Sequence, residues 1–159
     1  MKVLRMRRPT LVVVAAAALV VAAGTAAVVV LVGRGGIAPT RVEYLARVEA
    51  ICQTYGRRLD HIPPPTDPAS PGAVFESINA ALPILREQAR RVRALDPPRE
   101  LRRQLDPFFA LTARSLDALD RARKDAHDRA LFPMVQAISA FETNRNRAKR
   151  IANSIGFKC

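Results

Sequence analysis

From Thr40 onward apolar residues recur at steps of three and four, and no stretch alternates with the two-residue period of a strand, so the pattern predicts an all-α chain. Leu45, Val48, Cys52, Tyr55, Leu59 and Ile62 form the buried stripe of a first helix, which Thr40 and Glu43 open with capping-box spacing. The run from Pro63 to Ser70, with prolines at 63, 64, 65 and 68, cannot sustain a helix and predicts an exposed loop. A second helix has Ser70 as its N-cap and Pro71 at its first position, with Val74, Ile78, Leu82, Leu85, Ala89, Val92 and Leu95 on one face and an expected kink at Pro83. Asp96 is expected to cap a third helix bearing Leu101, Leu105, Phe108, Thr112, Leu116 and Leu119, with another kink at Pro107 and an end near Lys124. Asp125 and Asp128 then open a fourth, carrying Leu131, Val135, Ile138, Phe141, Ala148, Ile151 and Ile155, with Pro133 in its first turns and Gly156 as its stop. Short connections make neighbours antiparallel, so residues 41–159 should form an up-down-up-down four-helix bundle.

Residues 11–33 follow a different pattern: 23 positions without a charge, preceded by a leader (1–10) containing Lys2, Arg5, Arg7 and Arg8. At about 1.5 Å per residue such a helix spans about 35 Å, enough for a hydrocarbon core of ~30 Å, so the segment is expected to be a transmembrane anchor joined to the bundle by the linker 34–40. The alternative is a cleaved signal, which would release a secreted soluble domain. Its best small-residue site, Ala22-Ala23-Gly24, is followed by further apolar sequence at Ala26–Val32, which a cleavage would leave exposed. No cysteine lies near the end of the segment, which excludes a lipoprotein anchor. Four basic residues before the span against Arg34 and Arg41 after it favour a cytoplasmic N-terminus and a bundle outside a bacterial cell membrane, in a single pass.

That address changes the meaning of the two cysteines, Cys52 and Cys159. In an oxidising space an even count implies one disulfide, here closing a loop of about 107 residues and removing roughly 4 to 5 kcal/mol of unfolded-chain entropy. The topology agrees, because the end of the fourth helix returns beside the start of the first. Arg outnumbers Lys 22 to 4, a mark of GC-rich coding rather than of function.

With Ile51-Cys52 in its first helix and a terminal Ile155-Gly156-Phe157-Lys158-Cys159, the region 41–159 resembles a recurring type of actinobacterial exported, membrane-anchored helical protein. The resemblance implies an all-helical, disulfide-closed extracytoplasmic domain and brings no catalytic residues with it. Such proteins often carry a glycine before the aspartate that opens the last helix, whereas this chain has Lys124-Asp125-Ala126-His127-Asp128.

The topology also makes the charge readable. Residues 41–50, 86–103 and 145–159 should share the membrane-near end and hold 14 basic side chains against five acidic ones, while the rest of the bundle holds seven against nine. Arg90, Arg91, Arg93, Arg99, Arg102, Arg103, Arg147, Lys149 and Arg150 are the expected contacts to an anionic surface, either lipid or cell-wall polymer. Complementing helix C-terminal dipoles accounts for some of them, but not for Arg99, Arg102 and Arg103 in the first turns of the third helix.

Other chemistry finds little purchase. The extracytoplasmic address and an aromatic content of 5%, with no stacking cluster, argue against nucleic acid as a partner. His61 and His127 are the candidate metal ligands, expected together at the far end near Asp60, Asp67, Asp125 and Asp128, yet no helix carries a ligand spacing. No nucleophile motif, phosphate loop or haem attachment site is present, so neither catalysis nor a cofactor is expected. The sequence predicts an envelope interaction or scaffold module with an unknown protein partner, the alternative being a small-ligand or metal carrier. The first predicts a packed core and a functional surface, the second an internal cavity.

Overall fold

A computed structural model describes residues 39–158 of the chain, which belong to one compact unit starting at Ala38. The predicted leader, anchor and most of the linker lie outside the described residues, as does Cys159 and with it the expected Cys52–Cys159 pairing. The described residues are all-helical, with four helices and no strand: α1 (Arg41–Leu59), α2 (Pro71–Arg93), α3 (Arg99–His127) and α4 (Leu131–Ile155). None of them is long and apolar enough to cross a membrane.

The helix starts follow local chemistry, not always the chemistry expected. At α1 the capping box forms: Thr40 Oγ1 accepts the Glu43 N–H at 3.3 Å and Glu43 Oε2 accepts the Thr40 N–H at 2.9 Å, an arrangement worth about 1 kcal/mol. The Thr40 N–H and then the Thr40 hydroxyl, which donates to the same Oε2 at 3.0 Å, hold the Glu43 carboxyl below its ordinary pKa. Ser70 is the N-cap of α2 but its side chain makes no capping bond; Pro71 pre-sets the first turn, and Asp67 organises the approach by accepting the Ala69 N–H at 2.9 Å. Asp96 does not cap α3. The cap is Pro98, because a residue before proline is driven out of the helical region and both Asp96 and Pro97 stand in that position. Pro83 and Pro107 sit inside helices that continue past them.

The turn between α3 and α4 departs furthest from expectation. α3 runs past Lys124 to His127, Asp128 is its C-cap, and α4 begins only at Leu131, so neither Asp125 nor Asp128 opens a helix. Ala130 N–H bonds Asp125 O at 2.8 Å and Arg129 N–H bonds Ala126 O at 3.2 Å, the paired closure of a left-handed helix stop. Arg129 takes the left-handed conformation, φ 58°, at a cost of about 1 kcal/mol for a non-glycine residue. This stop rotates the start of α4 relative to the expected stripe. Met134 and Ala137 are buried, whereas Leu131 and Val135, expected inside, are 51% and 53% exposed.

The core falls into two clusters. One joins Tyr44 and Val48 of α1, Val92 of α2, Leu101 and Leu105 of α3, and Ala152 and Ile155 of α4 with Phe157. The other joins Val74, Ile78 and Leu82 of α2 with Leu119, Ala122 and Ala126 of α3 and Met134 and Ala137 of α4. The first gathers the beginnings of α1 and α3 with the ends of α2 and α4; the second gathers the opposite ends. Successive helices are therefore antiparallel. α3 and α4 form the most extensive pair, and Ala122 and Ala126 of α3 share the second cluster with Ala137 of α4, small buried side chains that let two helices approach closely.

The end of α4 is fixed by Gly156 at φ 94°, where a side chain would be strained and would press on Leu45 Cδ1 at 3.4 Å. Phe157 N–H closes on Ala152 O at 2.9 Å, turning the Phe157 ring into the first cluster, 5.3 Å from the Phe108 ring and 6.2 Å from that of Tyr44.

The α3–α4 seam gives a direct test. Ala122→Leu, at a fully buried seam position, is expected to lower unfolding stability by about 1 to 3 kcal/mol through overpacking. Ala113→Leu, on the exposed face of the same helix, should shift it by no more than about 0.5 kcal/mol, both read by urea denaturation.

Candidate functional site

The fold gathers the predicted basic residues at one end and divides them into two groups. Glu87 of α2 takes up two of them: Arg90 Nε and Nη2 donate to its two carboxylate oxygens at 2.7 Å each, and Arg91 Nε donates to Oε1 at 2.8 Å. The Tyr55 hydroxyl of α1 donates to the same oxygen at 3.4 Å, tying α1 to α2. Charge-assisted bonds from Arg90 and then Arg91 hold the Glu87 carboxyl down at about 2. Arg102 is engaged by Asp96 at 3.3 Å, which removes one of the three arginines that the α3 dipole disfavours.

Arg93, Arg99, Arg103, Arg147, Lys149 and Arg150 are exposed and have no carboxylate partner among the described residues. Arg93 instead lies over the Phe109 ring, 5.7 Å from its centroid. Arg41, at the start of α1, donates to the Ile155 carbonyl at 3.1 Å and so satisfies an end of α4. The Tyr44 hydroxyl is fully buried with no hydrogen-bond partner among the described residues, and burial raises its pKa.

A second feature lies between the two core clusters, a cavity of about 520 Å³, half open to the surface and lined by all four helices. Its walls come from Cys52 and Leu59 of α1, Leu85 and Ala89 of α2, Phe108 and Leu116 of α3, and Phe141 and Ala148 of α4. Most of these positions belong to the predicted inward stripes, yet all but Ala148 are only half-buried, whereas stripe positions above and below them, such as Leu82, Leu105, Leu119 and Ile155, are buried. The reason is volume: Cys52, Ala89, Thr112 and Ala148 put small side chains near one level of the bundle, where larger ones would meet. Two hydroxyls beside the cavity are spent on the backbone, Thr112 on Phe108 O at 2.9 Å and Ser115 on Phe141 O at 3.4 Å. Gln88, Arg145 and Lys149 are the remaining polar side chains of the lining, and no carboxylate lines it. Cys52 is not a free thiol.

The sequence pattern marked these stripe positions only as core. A level of small residues shared by four helices was the available signal for a cavity. Among the described residues no three His, Cys, Asp or Glu side chains converge as a metal site. His61 is exposed beyond α1, and the His127 ring lies 5.2 Å from that of Phe75. Leu131, Val135 and Phe132, the last 71% exposed, leave apolar surface at the start of α4.

No family model, curated protein or solved structure matches this chain. The fold and its two features define it as a helical bundle with a cationic end and an apolar cavity half open to the surface.

The Glu87 network carries a defined pH dependence. Folding makes Glu87 a stronger acid than in the unfolded chain, so its stabilisation is complete above about pH 4.5 and fades as pH falls toward about 2. In thermal unfolding of the wild type and Glu87→Gln, the difference in Tm should be present at pH 7 and shrink across that window.

Proposed function

We propose that this protein is a single-pass membrane-anchored module whose helical bundle lies outside the cell and binds anionic, phosphate-rich envelope material through its cationic end. The observation that carries the reading is the set of six exposed cations without carboxylate partners among the described residues, gathered where the chain enters α1 from the linker. Like charges held together raise the free energy of the fold, and Arg99 and Arg103 add an unfavourable position at a helix N-terminus. A polyanion relieves both costs at once. The apolar, charge-free run 11–33 and the basic leader support the anchor and its orientation. The engaged state of Cys52 and the inward turn at Gly156 and Phe157 support a Cys52–Cys159 bridge that closes the bundle. A second reading, carriage of a small ligand, is favoured by the cavity.

The basic end is tested with the full-length chain in phosphatidylcholine nanodiscs titrated with poly(glycerol phosphate). Binding should weaken steeply as salt shortens the Debye length, and Arg99→Gln, Arg103→Gln, Arg147→Gln and Arg150→Gln together should reduce affinity by roughly a hundredfold. Arg90→Gln with Arg91→Gln should matter far less, since Glu87 already engages both. Salt-insensitive binding, or none, overturns the reading.

The bridge and the address are tested separately by intact-mass analysis of the chain taken directly from cell membranes, without reductant. The expected mass is two hydrogens below that of the dithiol, for an uncleaved N-terminus. Two free thiols on material recovered from the cytosol would overturn both.

A further inference from the structure

We infer that the cavity is a binding site for a single-chain amphiphile with an anionic head, of the fatty-acid class, its chain between the two core clusters and its carboxylate at Lys149 and Arg145. The inference deepens the ligand-carriage reading and shares Lys149 with the cationic end, so the two readings are told apart by testing polyanion binding on arginines that do not line the cavity.

The dimensions suit one alkyl chain. A volume of about 520 Å³ lies within the usual range for small-molecule sites, roughly 300 to 1,000 Å³. The lining extends over Val48–Leu59 on α1 and Phe141–Ala152 on α4, about 16 Å of helix in each case, which matches an extended medium-length chain. The chemistry of the wall fits as well. Leu85, Phe108, Leu116 and Phe141 are half-buried apolar side chains that recover burial when a hydrocarbon fills the space, and the neighbouring Thr112 and Ser115 hydroxyls are already bonded to backbone carbonyls.

The charge of the head group follows from what surrounds the apolar wall. Lys149 and Arg145 stand one turn apart on α4, both exposed, and no acidic side chain lines the cavity. Arg145 is held in place by two bonds to Glu142, at 2.9 and 3.0 Å, while Lys149 has no carboxylate partner among the described residues. An anionic head therefore gains at least one new ion pair with Lys149, which a neutral head cannot form and a cationic head would oppose. α1 shares in the first cluster and not in the second, so its Leu59 borders the cavity where the second cluster does not reach it.

The test uses the full-length chain in nanodiscs with a diazirine-bearing dodecanoic acid, and with its methyl ester as a neutral probe of the same length. After irradiation, labelled peptides are mapped by mass spectrometry. The acid should label segments containing Ala89, Phe108–Leu116 and Phe141–Ala152, and unlabelled laurate should compete. Lys149→Gln with Arg145→Gln should cut labelling by the acid roughly tenfold without changing labelling by the ester. Both substitutions are at exposed positions, so loss of fold is not at issue; Ala89→Leu serves as a second variant that fills the cavity and should abolish labelling by the acid. Labelling confined to residues 11–33, or acid labelling at the cavity indifferent to the charge variants, overturns the inference. Neither result bears on polyanion binding, which is tested on arginines that do not line the cavity.

Discussion

The pairing of α3 with α4, the most extensive in the bundle, is the contact on which the rest of the fold is built. Ala122 and Ala126 of α3 and Ala137 of α4 are buried together in the second cluster. Helices pack closely where the intervening side chains are small. The large side chains of the same two helices, Phe108 and Phe141, lie toward the space shared with α1 and α2. The first two helices thus close around a tight pair whose bulky groups are flanked by the small side chains of Ala89 and Cys52, and the middle level stays unfilled.

α1 feels this most. It is fastened near its start by Tyr44 and Val48 in the first cluster and by Arg41 on the Ile155 carbonyl, and near its end by the bond from Tyr55 to Glu87. It has no share in the second cluster. An element with few buried contacts opens at lower free energy than the global unfolding of the domain, so α1 is the expected low-stability wall of the bundle. A bridge from Cys52 to the tail, as proposed, would act at the middle of this helix, where Ile51 and Cys52 pack on the first cluster.

Much of this architecture was legible in the chain, and the failures have local causes. The stripe of α2 is the one expected, because a period of three and four over five or more turns leaves one apolar face. The stripes of α1 and α3 are wider than expected, taking in Tyr44 and, on α3, Ser115, Ala118, Ala122 and Ala126, which a count of large apolar side chains passes over. The capping box at Thr40 and the stop at Gly156 were equally readable, since each depends on side chains within a few residues. The start of α4 was not. An arginine at 129 gives no signal for a left-handed turn, so the carboxylates at Asp125 and Asp128 looked like helix openers, and the face of the next helix was set wrongly at Leu131 and Val135. Asp96 failed as a cap for a reason the sequence did contain, the two prolines that follow it. The cavity escaped because a stripe reports which way a residue faces and not whether the residues meeting at one level fill the space between them.

The partition of charge at the basic end is an argument about what the fold leaves undone. Glu87 and Asp96 between them engage Arg90, Arg91 and Arg102, each within about a turn or two of chain, so local sequence already supplies carboxylates where they are wanted. Arg99 and Arg103 follow in the next turns of the same region and have none, although Glu100 stands between them on α3. A bundle selected for stability alone would not keep cations at the positive end of a helix dipole when one substitution removes the penalty. Arg147, Lys149 and Arg150 add unpaired positive charge from α4, and the cation at 149 also edges the cavity. Lys149 is therefore the residue through which occupancy of the interior and binding at the surface would influence each other. An anionic head group there lowers the positive potential available to a polyanion, and an occupied polyanion site weakens the hold on the head group by the same free energy.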